Sequence, residues 1–124
     1  LMVQSCALSL LNSQRKINRF NVSLHQVRQL TYPGIESHNS PEGIHQDGVD
    51  YIVSAFVFKR YNIKGGESII YDENKNKIDQ IILKHGEGLF QNDKKLWHYV
   101  TPIQSKRDYV GYRDIIGLDI RIDI

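Results

Sequence analysis

Val49-Asp50-Tyr51-Ile52-Val53-Ser54-Ala55-Phe56-Val57-Phe58 decides the fold. The run is rich in Val, Ile, Tyr and Phe at odd and even positions alike, so both faces of an extended chain are apolar here. A strand apolar on both faces is buried on both, which fits a sandwich or barrel better than an open surface sheet. Downstream, turn signals separate further short strands. Lys64-Gly65-Gly66-Glu67 leads into Ser68–Tyr71, and the polar turn Asp72–Lys77 into Ile78–Leu83. His85-Gly86-Glu87-Gly88 precedes Leu89-Phe90, and Asn92-Asp93-Lys94-Lys95 precedes Leu96–Ile103. A last strand runs from about Tyr109 to Ile122, with Gly111 and Gly117 inside it. Upstream, Val22, Leu24, Gln26 and Arg28 alternate with Asn21, Ser23, His25 and Val27 in a short extended run. Tyr32-Pro33-Gly34 then opens a loop that continues through Gly43, long enough for a functional segment or lid. Only residues 2–17 repeat apolar positions near 3.6, at Val3, Ala7, Leu10, Leu11 and Ile17. The expected class is all-β, a sandwich or barrel, with a short N-terminal helix.

Composition sets the outer bounds. A chain of 124 residues has room for one core and not two. With 40% hydrophobic and 24% charged residues it is ordinary globular material. A formal charge of +2 is too mild to imply nucleic acid or a membrane through bulk electrostatics. The single cysteine, Cys6, excludes an internal disulfide framework and a thiolate zinc cluster. No stretch approaches the roughly 18 apolar residues of a membrane span. A cytoplasmic domain is the expectation.

Three ligand-type residues stand out against this background. His45 and Asp47 are two apart at the mouth of the Val49–Phe58 strand, a spacing that puts both side chains on one face of extended chain. His98 lies on the later strand Leu96–Ile103. Two imidazoles and one carboxylate supply half an octahedron, the facial arrangement of non-haem Fe(II) oxygenases, and leave positions open for co-substrate and O₂. Arg113 follows inside the next strand, and its fork is suited to gripping the far end of a dicarboxylate. Iron with these four residues makes a 2-oxoglutarate site.

The surrounding residues carry a specific resemblance. Pro41-Glu42-Gly43-Ile44-His45-Gln46-Asp47-Gly48-Val49-Asp50-Tyr51 resembles the metal-binding stretch of the 2-oxoglutarate/Fe(II) dioxygenases of the bacterial L-isoleucine 4-hydroxylase type, which act on free L-amino acids. Further matches come in order: Asn62–Ser68 with Tyr71-Asp72, then His98–Ile103, then Gly111–Asp114. The resemblance covers roughly residues 21–122. It implies a double-stranded β-helix, a jelly roll related to the cupins. It implies Fe(II) on His45, Asp47 and His98, and Arg113 on the distal carboxylate of 2-oxoglutarate. The implied reaction uses O₂ to hydroxylate an aliphatic C–H of a small substrate, a free amino acid, with release of succinate and CO₂. Members of that family carry a longer, largely helical N-terminal portion. A single dioxygenase domain over residues 1–124 that lacks most of this flank is therefore the expectation.

Other residues compete for these roles. His25 reads as a packed or edge histidine, His38 as a loop residue in water, and His85 as part of a turn. Arg107 sits in a polar turn. Arg121 lies eight residues past Arg113, roughly 26 Å along a straight strand. Ser68, Tyr71 and Thr101 could add a hydroxyl beside Arg113, although strand packing accounts for each; Trp97 and Phe56 read as core. Two other readings stay open: a non-catalytic jelly-roll binding module, truncated or degenerate, and a cupin-type metalloenzyme that does not use 2-oxoglutarate. Exposed edges of a short barrel make a homodimer a reasonable expectation.

Overall fold

The structure, a computed structural model, describes residues 19–123. The helix expected over 2–17 lies outside the described residues. Within them all regular structure is strand: β1 (Arg19–Thr31), β2 (Tyr51–Tyr61), β3 (Ile63–Gly65), β4 (Ser68–Tyr71), β5 (Lys77–Ile81), β6 (Gly88–Asn92), β7 (Trp97–Val100), β8 (Ile103–Ser105) and β9 (Gly111–Asp123). Every pairing is antiparallel. A larger sheet runs β1-β9-β2-β6, a smaller one runs β5-β4-β7, and β3 pairs with β8 alone.

The apolar run that decides the class becomes β2, shifted toward Tyr61, with Ile52 and the adjacent Val53 both buried. Its two faces enter two clusters. Val53, Leu118 and Ile120 pack with Tyr51, Phe56 and Ile116 on one face of the larger sheet. Ala55, Val57 and Ile115 pack on the other face with Leu83 and with Ile81 of β5, so this second, inner face is the one turned toward the smaller sheet. Strand alternation puts Arg113 and Asp119 on the same inner face as Ile115.

Two irregularities shape the site. The run Leu96–Ile103, read as one strand, is two strands in different sheets, β7 and β8, broken at Thr101-Pro102. Pro102 has no N–H to donate to a ladder, and its carbonyl instead accepts from Gly66 at 3.1 Å. In β2, one extra residue is accommodated against β9 between Val53 and Phe56, and a second between Val57 and Lys59. Each bulge reverses the facing of the residues beyond it. The second therefore brings Arg60, directly opposite Arg113, onto the inner face.

The loop after β1 is pinned at its centre. Ser37 and Ile103 exchange both backbone hydrogen bonds at 3.0 Å, and the Gln29 amide donates to the Ser37 carbonyl at 3.0 Å. No helix among the described residues is long and apolar enough to cross a membrane.

Candidate metal centre

His98 enters the interior by alternation along β7: it pairs with Ile70 of β4 and shares the buried face with Ser68, Ile70 and Val100. His45 reaches it by a different route from the one its spacing suggests. It lies in a loop, not on a strand, and forms an isolated bridge in which His45 and His98 exchange both backbone hydrogen bonds at 3.0 Å. That bridge seats the two imidazoles against each other, with centroids 4.2 Å apart. Asp47 is aimed from behind. The buried carboxylate of Asp93 accepts from the Asp47 amide at 3.0 and 3.1 Å and from the Val49 amide at 2.9 Å. The Asp93 amide in turn donates to the Asp50 carbonyl.

The three side chains converge. His45 Nε2 is 3.5 Å from Asp47 Oδ1, and His98 Nε2 is 3.7 Å from Asp47 Oδ2. One ligand atom from each residue lies within 4.8 Å of the others. His45 Nδ1 sits 2.8 Å from the Gly43 carbonyl, which calls for the proton on Nδ1 and leaves the Nε2 lone pair directed at the cluster. Burial, followed by the neighbouring His45, holds the His98 pKa down to about 4, so this imidazole is neutral with a lone pair available at physiological pH. Asp47 is pushed up, first by burial and then by Asp93. A compact set of two imidazoles and one carboxylate suits a divalent first-row transition metal, and it fits Fe(II). Glu42 adds a further, exposed carboxylate 3.1 Å from His45 Nε2.

Arg113 is fully buried, and its Nε, Nη1 and Nη2 have no hydrogen-bond partner. Burial first, and Arg60 second, press its pKa down to about 10. An unpaired guanidinium in the interior is expensive, and native interiors keep such groups only when something pairs with them. A carboxylate, such as either end of 2-oxoglutarate, offers the bidentate acceptor that matches such a guanidinium.

The remaining candidates separate clearly. His25 on the edge strand β1 pairs with Asp119 at 2.9 Å, His38 lies 3.4 Å from Glu36, and His85 is exposed in its turn. Arg107 and Arg121 are exposed. Thr101 is occupied, its hydroxyl accepting from the Glu67 amide at 2.8 Å. Ser68 keeps a buried hydroxyl without a partner, on the same face as His98. Tyr71 lies partly buried at the end of β4. Trp97 differs from expectation: it is half-buried, with the Lys75 ammonium 4.2 Å over its ring. Phe56 is also half-buried and packs against the outer cluster. Two residues beside these groups escape a reading of the sequence: Asp93, whose Asn-Asp-Lys-Lys context carries only a turn signal, and Arg60, opposite Arg113, which the bulge hides.

No curated protein matches the chain. Among solved structures it is similar to IDO from Bacillus thuringiensis, at 22% identity and a TM-score of 0.76, over 94% of this chain and 57% of that one. It is similar to a bsmA homolog from Methylobium petroleophilum PM1, at 24% identity and 0.77, over 91% and 46%. The Fe(II)/α-ketoglutarate-dependent dioxygenase TqaL is a third, at 18% identity and 0.71, over 89% and 50%. The chain thus spans about half the length of each of these proteins, and at such identities the likeness is one of fold. The sequence pattern of the 2OG-Fe dioxygenases, by contrast, matches residues 2–119, nearly the whole chain, and the protein belongs to the 2OG-Fe dioxygenase family.

Proposed function

We propose that this chain is the catalytic core of an Fe(II)- and 2-oxoglutarate-dependent dioxygenase that hydroxylates an aliphatic C–H of a small substrate, a free L-amino acid. Family membership implies Fe(II) and 2-oxoglutarate as cofactors. The observation that carries the reading is the converging His45–Asp47–His98 set, joined by a buried, unpartnered Arg113 on the inner face of the larger sheet. The larger and smaller sheets are read as the two sides of a double-stranded β-helix, a fold supported by the likeness to IDO and TqaL. The amino-acid substrate rests on the resemblance of Pro41–Tyr51 to free amino-acid hydroxylases. The exposed edge strands β1 and β5 support a homodimer, and the lone Cys6 agrees with a cytoplasmic setting.

When bound, Fe(II) and 2-oxoglutarate supply the oxidising chemistry, with O₂ consumed, the keto acid lost as succinate and CO₂, and one oxygen atom passed to the substrate C–H. The chain's part is positioning. Gly43 fixes the His45 tautomer through its carbonyl, and the His45–His98 bridge sets the angle between the rings. Asp93 holds the Asp47 backbone so that its carboxylate meets both imidazoles. Arg113 anchors the far carboxylate of the keto acid and so orients its reacting end.

The test is anaerobic addition of Fe(II) and 2-oxoglutarate, followed by the weak visible metal-to-ligand absorption band. His45→Ala or Asp47→Ala should abolish the band, whereas Arg113→Ala should weaken 2-oxoglutarate binding and leave Fe(II) bound. A folded wild-type protein without the band would sink the proposal. Where the band forms, succinate release with a panel of free amino acids on admitting O₂ identifies the substrate, and no release with any of them would favour a binding module.

A further inference from the structure

Arg113 is not the only guanidinium on the inner face of the larger sheet. Across the inner face of the larger sheet, Gln29 of β1, Arg113 of β9 and Arg60 of β2 stand directly opposite one another in register, a polar row on adjacent strands. In this row Gln29 Oε1, all three nitrogens of Arg113 and Arg60 Nη1 are buried without a hydrogen-bond partner. Arg60 spends its other terminal nitrogen, Nη2, on the Gly65 carbonyl at 2.8 Å, which fixes the side chain and leaves Nη1 free. Gly66 lies over both arginines: a β-carbon there would stand 3.2 Å from Arg60 Nη1 and 3.3 Å from Arg113 Cδ. Among the described residues neither arginine forms an ion pair.

Two like charges held side by side in a partly desolvated place repel each other, and one anion between them relieves both. Uncommon backbone geometry brings them together. Without the bulge between Val57 and Lys59, alternation would turn Lys59 inward and Arg60 away. With it, Lys59 faces out over the Tyr61 and Tyr112 rings, and Arg60 faces Arg113. A bulge that re-aims one side chain into a site is a known use of that irregularity.

We propose that Arg60 is a second anchor for the distal carboxylate of the keto acid, donating through Nη1 beside Arg113, so that the pocket selects a dicarboxylate over a monocarboxylate. The inference rests on the 2-oxoglutarate reading above and adds a specificity-determining residue to it.

The experiment uses the full chain with Fe(II) under anaerobic conditions and reads keto-acid affinity from the absorption band. Two ligands are titrated: 2-oxoglutarate, and 2-oxopentanoate, which has the same carbon chain without the distal carboxylate. Arg60→Met should weaken 2-oxoglutarate about tenfold to a hundredfold, the range of one charge-assisted hydrogen bond. It should leave 2-oxopentanoate unchanged. Arg60→Lys, which keeps the charge without the fork, should fall between wild type and Arg60→Met for 2-oxoglutarate. Equal weakening of both ligands would overturn the proposal in favour of a structural role through Gly65, and an unchanged 2-oxoglutarate affinity would overturn it outright. A wild-type protein that shows no band overturns the underlying reading instead, so the two failures are distinct. If Arg60→Met does not fold, the ratio of the two affinities in Arg60→Lys carries the same test.

Discussion

Arg113→Met should make the ligand-free protein more stable while it impairs the site. In the folded chain Arg113 has no exposure and no partner for its nitrogens, and its pKa falls to about 10. A guanidinium held there is disfavoured in its charged form by about 3 kcal/mol relative to water. Because the folded value lies below the unfolded one, this penalty is fully present at every pH below about 10 and fades only above it. A neutral-pH measurement therefore carries all of it. Methionine retains most of the aliphatic stem but loses some packing, worth about 1 kcal/mol. The net gain is then about 2 kcal/mol, which for a chain of this size is roughly 6–10 °C in Tm.

Adding 2-oxoglutarate should reverse the order. At a hundred times its Kd the ligand stabilises wild type by about 2.7 kcal/mol, and at the same concentration it should do almost nothing for the variant. The assay is thermal denaturation of both proteins under anaerobic Fe(II), without and with the keto acid, in a buffer free of carboxylates. A ligand-free variant that melts below wild type would refute the reasoning, since Arg113 would then be a satisfied structural residue and not one waiting for an anion.

Removing the carboxylate in Asp93→Ala strands the amides of Asp47 and Val49 without their acceptor. The expected loss is about 2–4 kcal/mol of stability, together with weaker Fe(II) binding by titration; unchanged iron affinity would show that Asp93 does not position Asp47. Gly65→Ala and Gly86→Ala separate backbone conformation from crowding, because both glycines have positive φ, 81° and 82°. At Gly86 nothing lies within 4 Å of an added β-carbon, whereas at Gly65 it would meet the Pro102 carbonyl oxygen at 2.1 Å. Urea denaturation should show about 1 kcal/mol lost at Gly86 and at least about 3 kcal/mol at Gly65. Equal losses would mean that the Gly65–Pro102 contact yields readily.

How much of the molecule is legible in its sequence depends on how each feature is encoded. The two-faced apolar run in β2 is a local pattern, and it survives in the structure as paired buried residues Ile52 and Val53. The break at Pro102 escapes notice as a strand boundary although the residue itself announces it, because the flanking apolar residues on both sides read as continuous. His45, Asp47 and His98 are legible as ligand types, yet the two-residue spacing offers the wrong mechanism: a lone bridge to His98 and a carboxylate from Asp93 place them, not alternation along a strand. Asp93 carries no signal of its own, since an aspartate in a polar turn is ordinary and only its tertiary hydrogen bonds set it apart.

Arg60 marks the deeper limit. Periodic reading assigns facing by counting in twos, and counting from Val57 gives Lys59 to the interior. A bulge is invisible to such counting because its residues have ordinary composition; the partner strand β9 decides that two positions of β2 share one place in the register. A stable core favours regular alternation and paired polar groups. An anion pocket needs unpaired donors aimed inward, which regular alternation with Lys59 inside would have supplied less rigidly than a guanidinium fixed by Gly65. At the second bulge of β2, then, the sequence rule fails where regular packing and the proposed anion site make opposite demands, while the first bulge lies within the apolar clusters.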